Sequence, residues 1–301
     1  METSRGSDVP ESGAMTLRFW GVRGSMPTPS NRMMRYGGNT LAVELRCGPH
    51  LLILDAGSGL HGLGRALATS GILVDVDLLL THTHLDHVCG LPFFAPMFDP
   101  RSQIRIWAGH LLSPARIAAV LRLTWRAPLM PDIDKAFRAR LEFHDFAPGA
   151  DLPLRPGLRV GTAALHHPGN AVGYRVEWNG VSLCYVTDTE HPPEGIDENL
   201  RRFVAGADMM IYDANHTDAE YQSRIGWGHS TWQAGARLAD AAGVRRLVLF
   251  HHDPDHDDET MDEIVRAASA RRPGTVAARE GMSMIISAHG IRLPNQGFAQ
   301  D

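Results

Sequence analysis

The feature that most limits what this chain can become is a hexapeptide, His82-Thr83-His84-Leu85-Asp86-His87, directly after the apolar run Val76-Asp77-Leu78-Leu79-Leu80. Four of its six residues can bind a metal. Two imidazoles two positions apart, then a carboxylate and a third imidazole, suit a tight turn where a strand ends. There, alternate side chains project the same way and the following residues curl back towards them. Such a turn offers His82 and His84 to one divalent ion and Asp86 and His87 to a second. A chain with 16 histidines can cluster rings by chance, but chance rarely reproduces every ligand type at every spacing.

The rest of the chain can build a large core around that turn. Its 301 residues are 44% hydrophobic and 21% charged, as in ordinary globular proteins. A net charge of -5 argues against the broad basic face of a protein that grips long nucleic acid. Cys47, Cys89 and Cys184 are odd in number and scattered, which fits a reducing, cytoplasmic setting rather than a disulfide framework. Cys89, two residues past the motif, reads as a small buried filler. Met1 to Ala14 lacks the apolar segment of a signal peptide and reads as a disordered tail. No stretch approaches the length of a membrane span.

Strand and helix signals alternate along the chain. Met15–Trp20, the pair Leu41–Leu45 and Leu51–Leu54, then Val76–Leu80 and Gln103–Trp107 read as strands, with a helix over Gly62–Ala68. Asp55, at a strand end, is a natural acceptor that fixes the tautomer of a neighbouring imidazole, or a loop cap. Ser113-Pro114 is expected to open a helix. Thr124 to Asp132 has no clean period and reads either as a substrate-shaping overhang or as packing between layers. Further strands are expected at Leu158–Leu165, Ala171–Trp178, Val181–Val186, Asp208–Tyr212, Leu247–Phe250 and Ser283–Ser287, with Asn179-Gly180 as a hairpin turn. Capping-box spacings at Ser230–Gln233 and Thr260–Glu263 each precede a helix.

Strand ends after the motif carry the ligand types still missing, in Leu165-His166-His167-Pro168-Gly169, Thr187-Asp188-Thr189-Glu190-His191 and Phe250-His251-His252-Asp253-Pro254. The hexapeptide followed by these groups in this order resembles the metallo-β-lactamase superfamily, over about Met15 to Arg292. The resemblance implies an α/β (α+β) fold, a four-layer αββα sandwich with a two-metal hydrolytic site on one edge. It implies one domain over 15–292 between tails 1–14 and 293–301. It places His82, His84 and His167 on the first metal, Asp86, His87 and His251 on the second, and Asp188 between them. His166 and His252 stand as alternatives within the two histidine pairs. Flavodiiron-type members carry a glutamate where His84 stands, so His84 favours hydrolysis, with Zn2+ expected and Mn2+ or Fe2+ as alternatives.

The segments Ile211-Tyr212-Asp213-Ala214-Asn215-His216-Thr217 and Gly228-His229-Ser230-Thr231 are similar to the C-terminal half of ribonuclease Z and its phosphodiesterase relatives. There an acidic residue orients a histidine at the scissile phosphate. The matching pair is Asp213 and His229, unless His229 merely enters the helix capped at Ser230. No basic insertion matches the long Gly- and Pro-rich arm of ribonuclease Z. Gly21 to Pro27 with Tyr36 to Thr40 instead resembles a bacterial branch of small phosphodiesterase-like proteins. That makes Arg23 and Asn39 candidate substrate contacts, with turn formation as the alternative. Together these imply hydrolysis of a small phosphodiester, a 3′,5′-cyclic nucleotide first, by a metal-bridging hydroxide. Asp86, Asp213 and His229 are the expected catalytic residues. The expected partner is a small substrate, with no stable nucleic-acid complex and no membrane, and a homodimer stands open. The rivals are an endoribonuclease like ribonuclease Z, a carboxylic ester, lactone or thioester hydrolase, and a non-catalytic metal-binding protein.

Overall fold

Alternating burial along Met15–Gly21 sends Met15, Leu17 and Phe19 into one interior while Arg18 stays in solvent, the period-two pattern of a half-buried strand. The computed structural model describes residues 13–111 and 116–294. The first sheet takes β1 (Met15–Gly21), β2 (Ala42–Cys47), β3 (His50–Leu54), β4 (Asp75–Leu80), β5 (Gln103–Ala108) and β6 (Arg140–Asp145). The second takes β7 (Asp151–Leu152), β8 (Leu158–Leu165), β9 (Ala171–Trp178), β10 (Val181–Val186), β11 (Met209–Asp213), β12 (Arg246–Phe250) and β13 (Val276–Ala277). The chain then returns to the first sheet with β14 (Ser283–Ser287) beside β1 and β15 (Gly290–Arg292) at its edge.

The helices are α1 (Leu60–Ser70), α2 (Leu85–Val88), α3 (Ile117–Thr124), α4 (Glu198–Phe203), α5 (Asp218–Tyr221), α6 (Trp232–Ala241) and α7 (Asp258–Arg271). Three apolar clusters define the layers. Phe19, Leu45, Leu54, Tyr174, Tyr185 and Phe250 pack between the sheets. Ile53, Leu63, Leu78 and Leu121 join the first sheet to α1 and α3. Met210, Leu238, Leu249 and Ile264 join the second sheet to α6 and α7. The result is the four-layer αββα sandwich. β3 to β6 run parallel, as do β10 to β13, so two sets of carboxyl ends meet at one edge, where α/β folds place their ligands.

Several boundaries differ from the expectation, each for a local reason. Thr231, not Ser230, caps α6 by accepting from Ala234 N–H, while the Ser230 hydroxyl contacts Tyr212 and His191 instead. Asp257 caps α7 by accepting from Thr260 N–H, so that helix starts before Thr260. The proposed helix start at Ser113-Pro114 lies outside the described residues, as do residues 1–12 and 295–301 of the expected tails. Within Thr124–Asp132, Trp125 is buried against α3 and the first sheet, so the segment is anchored by packing.

Candidate metal centre

Three residues that leave parallel strands towards the shared edge hold a left-handed backbone: Asp55 after β3 (φ 58°), Asp188 after β10 (φ 59°) and His251 after β12 (φ 59°). For side chains other than glycine this costs on the order of 1 kcal/mol or more each and persists where surrounding structure enforces it. The kinks turn all three side chains into one buried cluster with the hexapeptide that follows β4.

Two groups of donors share Asp188. In the first, His82, His84 and His167 lie within ligand spacing of one another, with His167 Nε2 3.2 Å from His84 Nδ1. The Nε2 atoms of His82 and His167 are each 3.9 Å from Asp188 Oδ1. In the second group, His87 Nε2 lies 3.2 Å from Asp188 Oδ2 and 3.4 Å from Asp86 Oδ2. His251 Nε2 is 3.2 Å from Asp188 Oδ1 and 3.5 Å from Asp86 Oδ2. Nitrogen and oxygen ligands at about 2.0–2.2 Å from one ion in a tetrahedron sit about 3.3 Å apart. These spacings are therefore those of donors around a common cation. Buried Nε2 atoms of His82, His87 and His251 form no hydrogen bond, an arrangement that is costly unless something binds them. Both the donor set and the orphaned nitrogens fit divalent metal.

The electrostatics agree. Burial opposes charge on His87 and His251, yet the facing carboxylates, Asp188 foremost, hold both well above the ordinary imidazole range. Asp188 and Asp86 are held well below the usual carboxylate range: burial works against ionisation, and neighbouring histidines more than offset it. A pocket that concentrates anions favours a bound cation, whether proton or metal.

A shell of hydrogen bonds orients the donors. Asp55 Oδ2 lies 3.0 Å from His87 Nδ1 and accepts from the Tyr185 hydroxyl at 2.9 Å, while Asp55 Oδ1 accepts from Thr81 N–H at 2.8 Å. The Thr81 hydroxyl is 3.1 Å from Nδ1 of both His82 and His87. Gly228 carbonyl accepts from His167 Nδ1 at 2.8 Å, and Ser25 N–H donates to Asp86 at 2.8 Å. Fixing Nδ1 leaves Nε2 as the metal-facing atom in those histidines. Thr81, Ser25 and Gly228 were missed from sequence; only Thr81, beside the motif, offered a signal.

Beyond the donors, His229 Nδ1 lies 3.0 Å from Asp213 Oδ2. Asp213 also accepts from the N–H groups of Thr189, Asn215 and Ser230. Burial would push its carboxyl up, but His229 brings it below the usual range. The His229 ring stacks on His251 with centroids 4.7 Å apart, and His229 also lies within ligand spacing of His167 with Asp188 and of Asp213 with His251.

Of the alternatives, His166 is exposed and its Nε2 lies 3.3 Å from Asp197. His252 is buried, with Nε2 2.9 Å from the Ala278 carbonyl and its pKa pushed down to about 3, mainly by burial. Neither reaches the cluster. The two candidate substrate contacts need correction. Arg23 is fully buried, and its guanidinium donates to the carbonyls of Gly37, Asp253 and His256. Asn39 donates to Glu280 and accepts from Ser58. Both stitch loops together: Arg23 has no face for substrate, and half-buried Asn39 has its side-chain amide engaged by Glu280 and Ser58. Cys89 Sγ lies 3.8 Å from the Thr40 hydroxyl and takes no part in the donor groups.

Residues 50–252 match the family model of the beta-lactamase superfamily domain. Among curated relatives, ribonuclease Z of Synechococcus sp. (strain CC9311) is 29% identical, covering 91% of this chain and 99% of its own length. The metallo-beta-lactamase fold protein YhfI from Bacillus subtilis superposes with a TM-score of 0.68 at 18% identity, over 90% of this chain and 99% of that one. The short form of human tRNase Z superposes with a TM-score of 0.62 at 20% identity, over 90% and 98%.

Proposed function

The chain belongs to the beta-lactamase superfamily and is a metal-dependent hydrolase, and from that premise we propose that it cleaves a small phosphodiester, a 3′,5′-cyclic nucleotide first. Two divalent ions, zinc by ligand type, are part of the proposal: His82, His84 and His167 hold one, Asp86, His87 and His251 the other, and Asp188 both. When bound, such ions acidify water and polarise a phosphoryl oxygen.

The observation that carries the reading is the Asp213–His229 pair beside the donor cluster. An alkoxide leaving group is a poor one, and a positioned acid lowers that barrier. Asp213, anchored by three backbone N–H groups and buried, holds Nδ1 of His229. With Nδ1 so held, Nε2 is the nitrogen left to deliver a proton to the departing oxygen. An ester or lactone hydrolase has less need of this pair.

A ribonuclease Z-like reading is favoured by the 29% identity to that enzyme. Against long RNA stands a cavity of about 570 Å³ beside His167 whose lining includes the carboxylates of Glu190, Glu194 and Asp197, which repel a polyanion. The test is one panel on the metal-loaded protein: cyclic nucleotides, bis(p-nitrophenyl) phosphate, lactones and precursor tRNA. Cyclic nucleotide turnover well above the rest is the expected result. Dominant cleavage of precursor tRNA selects the second reading, and dominant lactone turnover ends both.

A further inference from the structure

Trp227 is 60% exposed. An indole combines a large flat apolar surface with one polar N–H, which suits it to contacts with planar groups. It stands on the loop that follows α5, and this loop is held unusually firmly. Glu190, two residues past Asp188, accepts from Gly226 N–H at 2.7 Å, from Gly228 N–H at 2.9 Å and from the Tyr221 hydroxyl at 2.7 Å. The loop therefore has a fixed position relative to the donor cluster. The next residue, Gly228, orients His167 through its carbonyl, and the one after is His229. On the other side, the Arg224 guanidinium lies 5.6 Å from the indole and donates to Asp253, two residues past His251. Trp227 is thus bracketed by the segments that bring His167, His229 and His251 to the cluster. Three other exposed apolar side chains sit on site segments: Met26 beside Ser25, Leu85 within the hexapeptide, and Ile225 on the same loop.

From this we infer that Trp227 is a specificity-determining platform on which a planar, uncharged group of the substrate stacks, a nucleobase in chemical class. The loop beside the donor cluster offers the aromatic surface of Trp227, whereas the lining of the cavity beside His167 includes three carboxylates, so selectivity comes from a flat neutral group rather than from further phosphates. Stacking is tolerant of base identity, because every base has a π-face. The contact therefore selects nucleotides as a class over base-free phosphodiesters, with weak discrimination among bases. This rests on the phosphodiesterase reading for its kinetic arm only.

The experiment compares wild type, Trp227→Ala and Trp227→Phe, all metal-loaded and full length. The substrates are adenosine 3′,5′-cyclic monophosphate and its base-free analogue, methyl ribofuranoside 3′,5′-cyclic phosphate. Loss of one base–aromatic stack corresponds to about 5- to 150-fold in affinity. The KM advantage of the nucleotide over the base-free substrate should collapse by about that factor in Trp227→Ala and be largely restored in Trp227→Phe. An unchanged ratio overturns the inference while leaving the phosphodiesterase reading intact. A second arm needs no turnover: adenosine alone, at millimolar concentration, should quench indole fluorescence in wild type and not in Trp227→Phe. If neither cyclic phosphate is cleaved, the phosphodiesterase reading fails and this titration still decides the platform, with equal quenching in both proteins counting against it.

Discussion

At the scale of single residues, proton delivery and metal binding are separable, because His229 is held by Asp213 and not by the hexapeptide. His229→Ala should keep the fold and two metals yet lower turnover of a cyclic nucleotide roughly 10²- to 10⁴-fold, the range of general acid catalysis. Bis(p-nitrophenyl) phosphate expels a stable phenolate and should lose far less. Asp213→Asn should follow the same pattern more weakly. Equal losses on both substrates with metal retained would remove His229 from that role, and loss of a metal would make it a ligand. A second residue-scale expectation concerns acid stability. His110 is buried against Thr83, and burial first, then nearby histidines, pushes it down to about 4. Its folded pKa lies below the unfolded value of about 6.5. The stability it supports is thus complete above about pH 6.5 and is lost as pH falls towards 4. In chelated protein, His110→Gln should flatten that acid limb by on the order of 2 kcal/mol, read from urea midpoints between pH 7 and 4.5. An unchanged slope would show that His110 does not titrate with unfolding. Residues of this kind differ in how far sequence exposes them. Ligand-type side chains at strand ends are visible because strand and ligand signals coincide. Arg23 reads as a phosphate contact because a charge among glycines looks the same whether it faces solvent or, as here, three backbone carbonyls.

Secondary elements set the donor geometry, and their close approaches are testable. Gly228 has φ of +86°, and a Cβ there would overlap the His167 ring and Pro168. Its carbonyl also fixes His167 Nδ1. Gly228→Ala should therefore weaken the first metal group about 10- to 100-fold, the usual effect of disturbing a residue that orients a ligand. Metal analysis after dialysis should fall from two equivalents towards one, and two retained equivalents would refute the coupling. This contact was invisible in sequence, since it joins a loop after β8 to one before α6. Strands rich in apolar residues and set off by turn residues, with Asn179-Gly180 as the hairpin turn, were legible to the residue: Leu158–Leu165, Ala171–Trp178 and Val181–Val186. β6 was not, because Arg140, Glu142 and His144 alternate with only two large apolar residues at a sheet edge. Helix starts shifted where competing caps lay within three residues, as at Ser230 and Thr231 or at Asp257 and Thr260. Local spacing cannot say which hydroxyl or carboxylate is engaged elsewhere.

On the scale of the whole molecule, the donor cluster joins two sheets that otherwise meet through an apolar core. His82, His84, Asp86 and His87 follow a strand of the first sheet, while His167, Asp188 and His251 follow strands of the second. Each donor group therefore spans both sheets, and ions held there would brace the sandwich at its edge. Without metal, only the ion pairs of Asp86 and Asp188 with the facing imidazoles hold this edge, and the ligand bonds that cross between the sheets are lost. A ligand that binds only the folded state at a hundred times its Kd stabilises by about 2.7 kcal/mol. For a chain of 301 residues, each kcal/mol moves Tm by about 2 °C. Chelation should therefore lower Tm by about 5 °C, and reloading with zinc should restore it. Asp188→Ala removes the carboxylate that both groups share, so its Tm should sit near that of the chelated wild type and respond little to either treatment. A wild-type Tm indifferent to chelation would show that the cluster does not brace the sheets. A chelation response retained in full by Asp188→Ala would show that Asp188 is not the shared ligand.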